Sequence, residues 1–448
     1  MTGASSDAIT SSPRFTFEEF ALSLLGVLIA LTPDRIITFF LFAQPLFDFT
    51  DNDTLTLIKH IVIRLLVLYL LFQTSLYLSN VGKRMTFTPI GIERGLLIYG
   101  GTAVFSVVAA VLRNDMGIAK AFASVTTLLM LFSLCYLIPY WCGDRIRVLK
   151  LAKWFLASFT AVTLAAVVQV ILSQFLPSVF GFNRLSSLFH DANIFARFLI
   201  FGIFFSVPLL LNHSPLVGRK LTIVTIVLAL GCILLSLSRS GLFALLAGCI
   251  ILGALMGKKK IMMIIVVFAI ITGTLGLRFI NAERLAPKSS VFEMSTFNRI
   301  QIVLGGLDIF SQHWLTGIGY TNFQNFYASQ YLVGQLDMSL SSYEQRGYTV
   351  AIHNWTVEVL SEQGIFGLVG FCMLFYLLFK LVRRARLGTA DKTMQALLVG
   401  HTLMLFIFLL QGFFYHTFIS QFFFWMMIGF ALATVKAIEH DGAKEAIS

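Results

Sequence analysis

"IHNWTVEVLSEQGIFGLVGF", residues 352–371, decides the fold. It opens on a His-Asn pair, runs through a polar and acidic turn, and changes at Gly364 into an apolar helix. Such a change marks where a chain passes from water into lipid, because about 20 apolar residues suffice to cross a hydrocarbon layer roughly 30 Å thick. His353, Asn354 and Glu362 therefore stand at a membrane entrance, where a polar side chain survives only with a partner or a task.

The same apolar texture extends outward in both directions. Of 448 residues, 57% are hydrophobic and 12% are charged, against about a quarter charged in soluble domains. Apolar runs predict helices near 20–48 (interrupted by "LTPDR" at 31–35), 57–79, 93–112, 118–142, 148–176, 192–211, 221–237, 240–256, 260–279, 364–382, 394–412 and 416–436. The fold class is all-α: a polytopic helical membrane protein of about 12 spans, with residues 1–448 forming one integral membrane domain. No cleavable signal is expected, since the first 16 residues are polar and no small-residue cleavage site follows.

Lysine and arginine set the orientation. Lys83, Arg84 and Arg94; Arg145, Arg147 and Lys150; Arg219 and Lys220; Lys258, Lys259 and Lys260; and Arg383, Arg384, Arg386 and Lys392 all fall on one side of a twelve-span chain. That side reads as cytoplasmic, so the net charge of +11 is mainly positive-inside bias. Nucleic acid is not an expected partner, because no aromatic-basic motif accompanies the charge. The opposite side carries one long loop, 281–363, inserted between spans nine and ten. Its Arg284, Lys288, Arg299 and Arg346 face seven acids, so its arginines are not there to orient the chain. Within it, "STFNRIQIVLGGLDIFSQHWLTGIGYTNFQNF" (295–326) reads as a helix capped by Ser295 or Thr296, amphipathic to about Phe310, then a Gly-rich turn. Such a helix suits a membrane surface.

Cys135, Cys142, Cys232, Cys249 and Cys372 all fall in or beside apolar runs and read as small buried hydrophobes, not a disulfide framework. No HExxH is present, and no metal or cofactor is expected. Gly364, Gly367 and Gly370 recur at every third position and read as close helix packing.

Polar residues gather on the long-loop side. "FNRLSSLFHDANIFARF" (182–198) carries Arg184 and His190 before a helix start, with Asp191 or Asn193 as the cap. "LSLSRSG" (235–241) joins two spans with almost no loop, and helical spacing would put Ser236, Arg239 and Ser240 on one face. Each has a plainer reading: His190 at a helix end, Arg239 snorkelling to headgroups, Arg299 solvated on a surface helix, Glu362 structural. Three segments nonetheless send Arg184, Arg239 and Arg299 to one membrane face, where His353 joins them. Arginine forks grip phosphate in bidentate fashion, and a histidine beside them can take a proton. A lipid-linked phosphate or diphosphate fits that set.

Four motifs carry a family resemblance: "RLSSLFHDANIFARFL" (184–199), "SLSRSG" (236–241), "NRIQIVLGGLDIFSQHWLTGIGYTNF" (298–323) and "HNWTVEVLSEQGIFGLVGF" (353–371). Together they resemble the O-antigen ligase and O-antigen polymerase superfamily of bacterial envelope glycan transferases. The first departs from many relatives, reading "HDAN" where they place proline before the asparagine. The resemblance implies a C-type glycosyltransferase-like architecture in the bacterial inner membrane, with an inverting, metal-independent reaction at the periplasmic face. The donor it implies is a glycan on undecaprenyl diphosphate. The acceptor is a lipid A-core sugar in a ligase, or a second lipid-linked glycan in a polymerase. It assigns Arg184, Arg239 and Arg299 to the diphosphate and His353 to the acceptor hydroxyl, with His190, Asn193 and Asn354 as secondary candidates. A ligase is the first reading, a polymerase or related oligosaccharide transferase the second, and a transporter of anionic lipids or solutes the third.

The orientation has a direct test. In a background lacking the native cysteines, a Ser329→Cys variant should react with an impermeant thiol reagent in cells with a permeabilised outer membrane, and a Thr389→Cys variant should not. The reverse pattern would invert the topology.

Overall fold

The computed structural model describes residues 32–43, 53–80, 90–182, 184–189, 191–214, 216–257, 290–332, 352, 354–413 and 422–445. Among these there is no strand. The helices are α1 (Pro33–Ala43), α2 (Asp53–Asn80), α3 (Glu93–Leu112), α4 (Ile118–Cys142), α5 (Arg145–Phe175), the single turn α6 (Pro177–Phe180), α7 (Ala192–Leu211), α8 (Arg219–Leu235) and α9 (Arg239–Met256). After the long-loop helices α10 (Ser290–Gln312) and α11 (Phe323–Tyr327), extended by a π-helical turn Ala328–Leu332, come α12 (Trp355–Gly388), α13 (Lys392–Gly412) and α14 (Phe422–Glu445).

Nine described helices are long and apolar enough to cross a membrane: α2, α3, α4, α5, α7, α9, α12, α13 and α14. The 17-residue α8 is equally apolar and packs against α5 and α7. The expected span at 260–279 and the first part of the interrupted span lie outside the described residues. "LTPDR" is a helix start: α1 begins at Pro33, where a missing N–H costs nothing. Asp34 meets Lys150 at 3.3 Å and Ser158 donates to the Phe42 carbonyl, so α1 runs along the first half of α5. Ser295 and Thr296 do not cap α10, which already starts at Ser290.

α7 is the axis of the bundle. Apart from Asn193, Arg197 and Ser206 its side chains are apolar all round, and 83% of its span is buried within the protein. Its phenylalanines form a ladder: Phe198 packs on Phe155, Phe201 on Phe408 at 4.7 Å, and Phe205 on His401 at 4.8 Å. Lipid tails are as apolar as these rings, so the helices associate through close packing and polar contacts rather than by escaping water. The α3–α12 pair shows this directly. A Cβ on Gly370 would lie 2.9 Å from the Tyr99 backbone, and one on Gly95 would lie 2.7 Å from the Leu374 Cα. Gly370 is thus the packing glycine of its triplet; the Cβ direction of Gly367 meets its own helix at Gln363, and Gly364 does something else. All five cysteines are free thiols; four are buried, but Cys372 is exposed, against the expectation that all five fill the interior.

Polar contacts sort to the two ends of the bundle. At the basic end Arg145 pairs with Asp391 at 2.8 Å, Asn212 donates to the Lys392 carbonyl, and Arg386 donates to the Leu255 carbonyl. Burial would raise the Asp391 carboxyl. The Arg145 hydrogen bond and the N–H groups of Met394 and Thr393 outweigh it and hold the group below the usual carboxylate range. At the opposite end Arg113 reaches Thr316, Asn322 reaches the Asp115 carbonyl, Arg184 reaches Ser236, and Trp355 reaches Leu409. The loops joined at each end are the ones that the lysine and arginine pattern groups together.

Candidate functional site

The polar loop end is built on one break in a helix. Inside α12, Gly364 adopts φ 69° and ψ −167°, a conformation open to glycine and strained for other residues. The break frees the Ser361 and Glu362 carbonyls and the Ile365 N–H from the helical ladder. Buried backbone groups need partners, and the loop after α10 supplies them. Ile318 N–H donates to the Ser361 carbonyl and Gly319 N–H to the Glu362 carbonyl, both at 2.9 Å, while Ile365 N–H donates to the Trp314 carbonyl at 2.8 Å. The two backbones touch: a Cβ on Gly364 would lie 2.5 Å from the Leu315 oxygen, and one on Gly317 would lie 2.2 Å from the Glu362 carbonyl.

Side chains complete the clasp. The buried Glu362 carboxylate accepts from Thr321 N–H at 2.8 Å and Phe323 N–H at 3.0 Å, closing the turn that leads into α11. Arg113, paired with Asp115 at 2.7 Å, donates to the Thr316 hydroxyl and the Gly317 carbonyl. Asn322 donates to the Asp115 and Ile318 carbonyls, Tyr320 N–H donates to Ser106, and Thr321 meets Ser124 at 2.7 Å. The turn between α3 and α4, the loop after α10 and the break in α12 are thereby one unit. His313 lies half-buried at its edge; burial, and then the nearby Arg113 charge, hold its imidazole below the ordinary value.

A second group lies between α7 and α9. Asp191 caps α7 through the N–H groups of Asn193 and Ile194. The Asn193 side-chain oxygen accepts from the Arg184 guanidinium and the Ser238 hydroxyl, both at 2.9 Å. Arg184 also donates to the Ser236 carbonyl at 3.1 Å. Ser236 ends α8 and Ser238 caps α9, with Leu237 at φ 50° between them. Ser236, Arg239 and Ser240 therefore do not share one helical face, as their spacing suggested, because the chain turns through 236–238. Arg239 opens α9 with its side chain exposed.

Of the expected site residues, Arg184 and Asn193 come together with the segment that carries Arg239. Arg299, exposed on α10, belongs to the loop unit. The back of α10 packs there on Ile352 and Val357, since a Cβ on Gly306 would lie 2.7 Å from each. Asn354 caps α12, accepting from Thr356 and Val357 N–H. His190 and His353 lie outside the described residues, although Ile352 and Asn354 bracket the latter.

Sequence reasoning passed over Arg197. It is 3% exposed inside α7, donates to the Gln411 side chain at 2.6 Å, and lies 5.8 Å from the centre of the Phe408 ring. Its signal was available, as a charge in an otherwise apolar helix one turn below Asn193. The Glu362 contacts carried no such signal, because its partners are backbone groups about 40 residues upstream.

Fold and contacts together define a polytopic helical membrane protein with an ordered loop unit seated on the ends of its spans. Residues 224–372, about a third of the chain, match the family model described as O-antigen ligase, in line with the resemblance to the O-antigen ligase and polymerase superfamily. The chain matches no curated protein. The matched stretch contains the whole clasp on the α10–α12 side, with Arg239, Arg299 and His353. Arg184, Asn193 and Arg197 precede it.

If the break at Gly364 anchors the loop unit, Gly364→Ala should destabilise the protein by more than about 1 kcal/mol, because it adds a side chain at positive φ against a carbonyl. Limited proteolysis in detergent should then cut within 313–332 in the variant and spare the parent. Equal resistance of the two proteins would count against the clasp.

Proposed function

We propose that this chain is a glycosyltransferase of the O-antigen ligase type, moving a glycan from undecaprenyl diphosphate to a sugar of the lipid A core. It works in the bacterial inner membrane, and residues 281–363 form the periplasmic loop of its single domain. The observation that carries this reading is the family match over 224–372, whose segments bear Arg239, Arg299 and His353.

The chemistry follows from the residue types. The acceptor hydroxyl attacks the anomeric carbon, the carbon–oxygen bond to the diphosphate breaks, and the configuration inverts. Undecaprenyl diphosphate leaves with the negative charge. Arg184, Arg239 and Arg299 hold that charge with fixed, always-protonated forks. His353 takes the hydroxyl proton. Asn193 holds Arg184 in place through the 2.9 Å hydrogen bond, and Asn354 fixes the helix start next to His353. A polymerase would use the same donor and residues but a second lipid-linked glycan as acceptor. Purified protein given donor with either acceptor separates the two readings by which product forms. Product with neither, alongside passage of the lipid across the membrane, would favour transport.

Arg239→Lys keeps the charge and loses the fork, so transfer should fall strongly while expression and melting behaviour persist. Normal transfer by both Arg239→Lys and Arg239→Ala would return Arg239 to a snorkelling role.

His353→Ala should lose roughly 10²–10⁴-fold in transfer rate, the range for general acid–base residues, while donor binding survives. His313→Ala should be close to silent. Single-turnover assays with chelator present throughout report both effects. Full activity of His353→Ala would remove the proposed proton acceptor.

A further inference from the structure

α10 is apolar on two opposite faces. One face is explained by the protein: Gly305 and Ile309 are buried in a small core with Ile318, Phe323, Tyr327, Ile352 and Val357. The other is not. Ile300 and Leu304, 54% and 56% exposed, and Leu307 lie within an arc of about 60° on the far side of the helix. Gln301, Asp308 and Gln312 form an exposed polar flank beside them. Just past the helix end the stripe continues into Trp314 and Leu315, both exposed.

Where that stripe lies relative to the spans is fixed by hydrogen bonds. The Trp314 carbonyl accepts from Ile365, at the point where α12 becomes an apolar span, and Leu315 packs its carbonyl on Gly364. Thr316 and Gly317 are held by Arg113, next to Leu112 at the end of α3. Leu112, Ile118 and Phe122 on α3 and α4, and Phe366 and Val369 on α12, are exposed apolar residues of membrane-crossing helices, so they face lipid tails. Trp314 and Leu315 thus adjoin the upper rim of the lipid-facing belt, and the α10 stripe continues from them.

We infer that α10 is an in-plane membrane helix, its Ile300–Leu304–Leu307 stripe sunk into the headgroup–acyl boundary of the bilayer at the loop end, with Trp314 as its interfacial anchor. A helix apolar on a narrow face and polar on its flank binds lipid in this way, and tryptophan is enriched at that depth. The seating sets Arg299, the neighbour of Ile300 at the stripe's edge, at the level of lipid phosphates. Membrane seating of α10 does not depend on whether the chain transfers a glycan.

The test uses the full chain in lipid nanodiscs. In a Cys372→Ser background, with the four buried cysteines left in place, the single substitutions Ile300→Cys, Leu304→Cys, Leu307→Cys and Gln312→Cys are each labelled with an environment-sensitive fluorophore. Labels at 300, 304 and 307 should emit to the blue and lose most of their fluorescence to lipids carrying a shallow nitroxide, while iodide in the water leaves them bright. The label at 312 should respond the other way round. Equal iodide quenching at 304 and 312 would overturn the assignment. So would stripe labels shielded from both quenchers, which would mean that protein covers the face; disulfide cross-linking between two copies of the Leu304→Cys variant would then identify a second chain as the cover. Three stripe positions guard against one variant misfolding.

Discussion

The loop end rests on an exchange of backbone hydrogen bonds. At Gly364 the α12 ladder is interrupted, and the groups it releases cannot turn to lipid, which offers no partners. They can be satisfied only by another piece of backbone brought within touching distance. The 314–319 segment meets that demand because Gly317 lets it come close enough and because Arg113, Asn322 and Glu362 fix its path. The position of α10, and with it Arg299, follows from that pairing, as does the start of α12 at Asn354. A continuous helix through residue 364 would leave the loop unit no edge to pair with.

The deeper bundle obeys another rule. The aromatic ladder on α7 and the glycine contacts between α3 and α12 gain from close fit, in a medium where burial of apolar area from lipid gains little. Polar contacts within the bundle are correspondingly few and specific, such as Arg197 with Gln411 and His401 with Thr434. At the loop end the order reverses: polar side chains and carbonyls predominate. Arg184 is held there by neutral oxygens, and Arg113 by neutral oxygens and an aspartate.

Much of this was legible in the chain. Hydropathy placed α3, α4 and α7 at their observed limits, because a lipid-crossing helix is long and its pattern strong. The change of character at Gly364 was visible as a switch from acidic to apolar, and the described basic segments around Arg145, Arg386 and Lys392 sorted to one end. What was hidden depends on backbone rather than composition. The turn at Ser236–Ser238 looks helical by spacing but is not, since a positive φ at Leu237 leaves no mark in the residue type. The first turns of α10 precede the cap-like Ser295. Glu362 was read as structural, but the N–H groups it accepts from are remote in sequence. Arg197 was readable and passed over, because nearer polar residues drew attention to the loop.

The ladder on α7 also bears on how the protein is made. Gln411, the partner of Arg197, lies 214 residues downstream. At the usual pace of synthesis that separation amounts to roughly 10–40 s. Throughout that interval α7 has left the ribosome while α13 does not yet exist. Its phenylalanines can wait among lipid tails without penalty, but its guanidinium waits there only at a cost. α5, α8 and α9, the earlier-made or promptly following neighbours of α7, are the helices at hand to lower that cost until the late helices close the bundle around it.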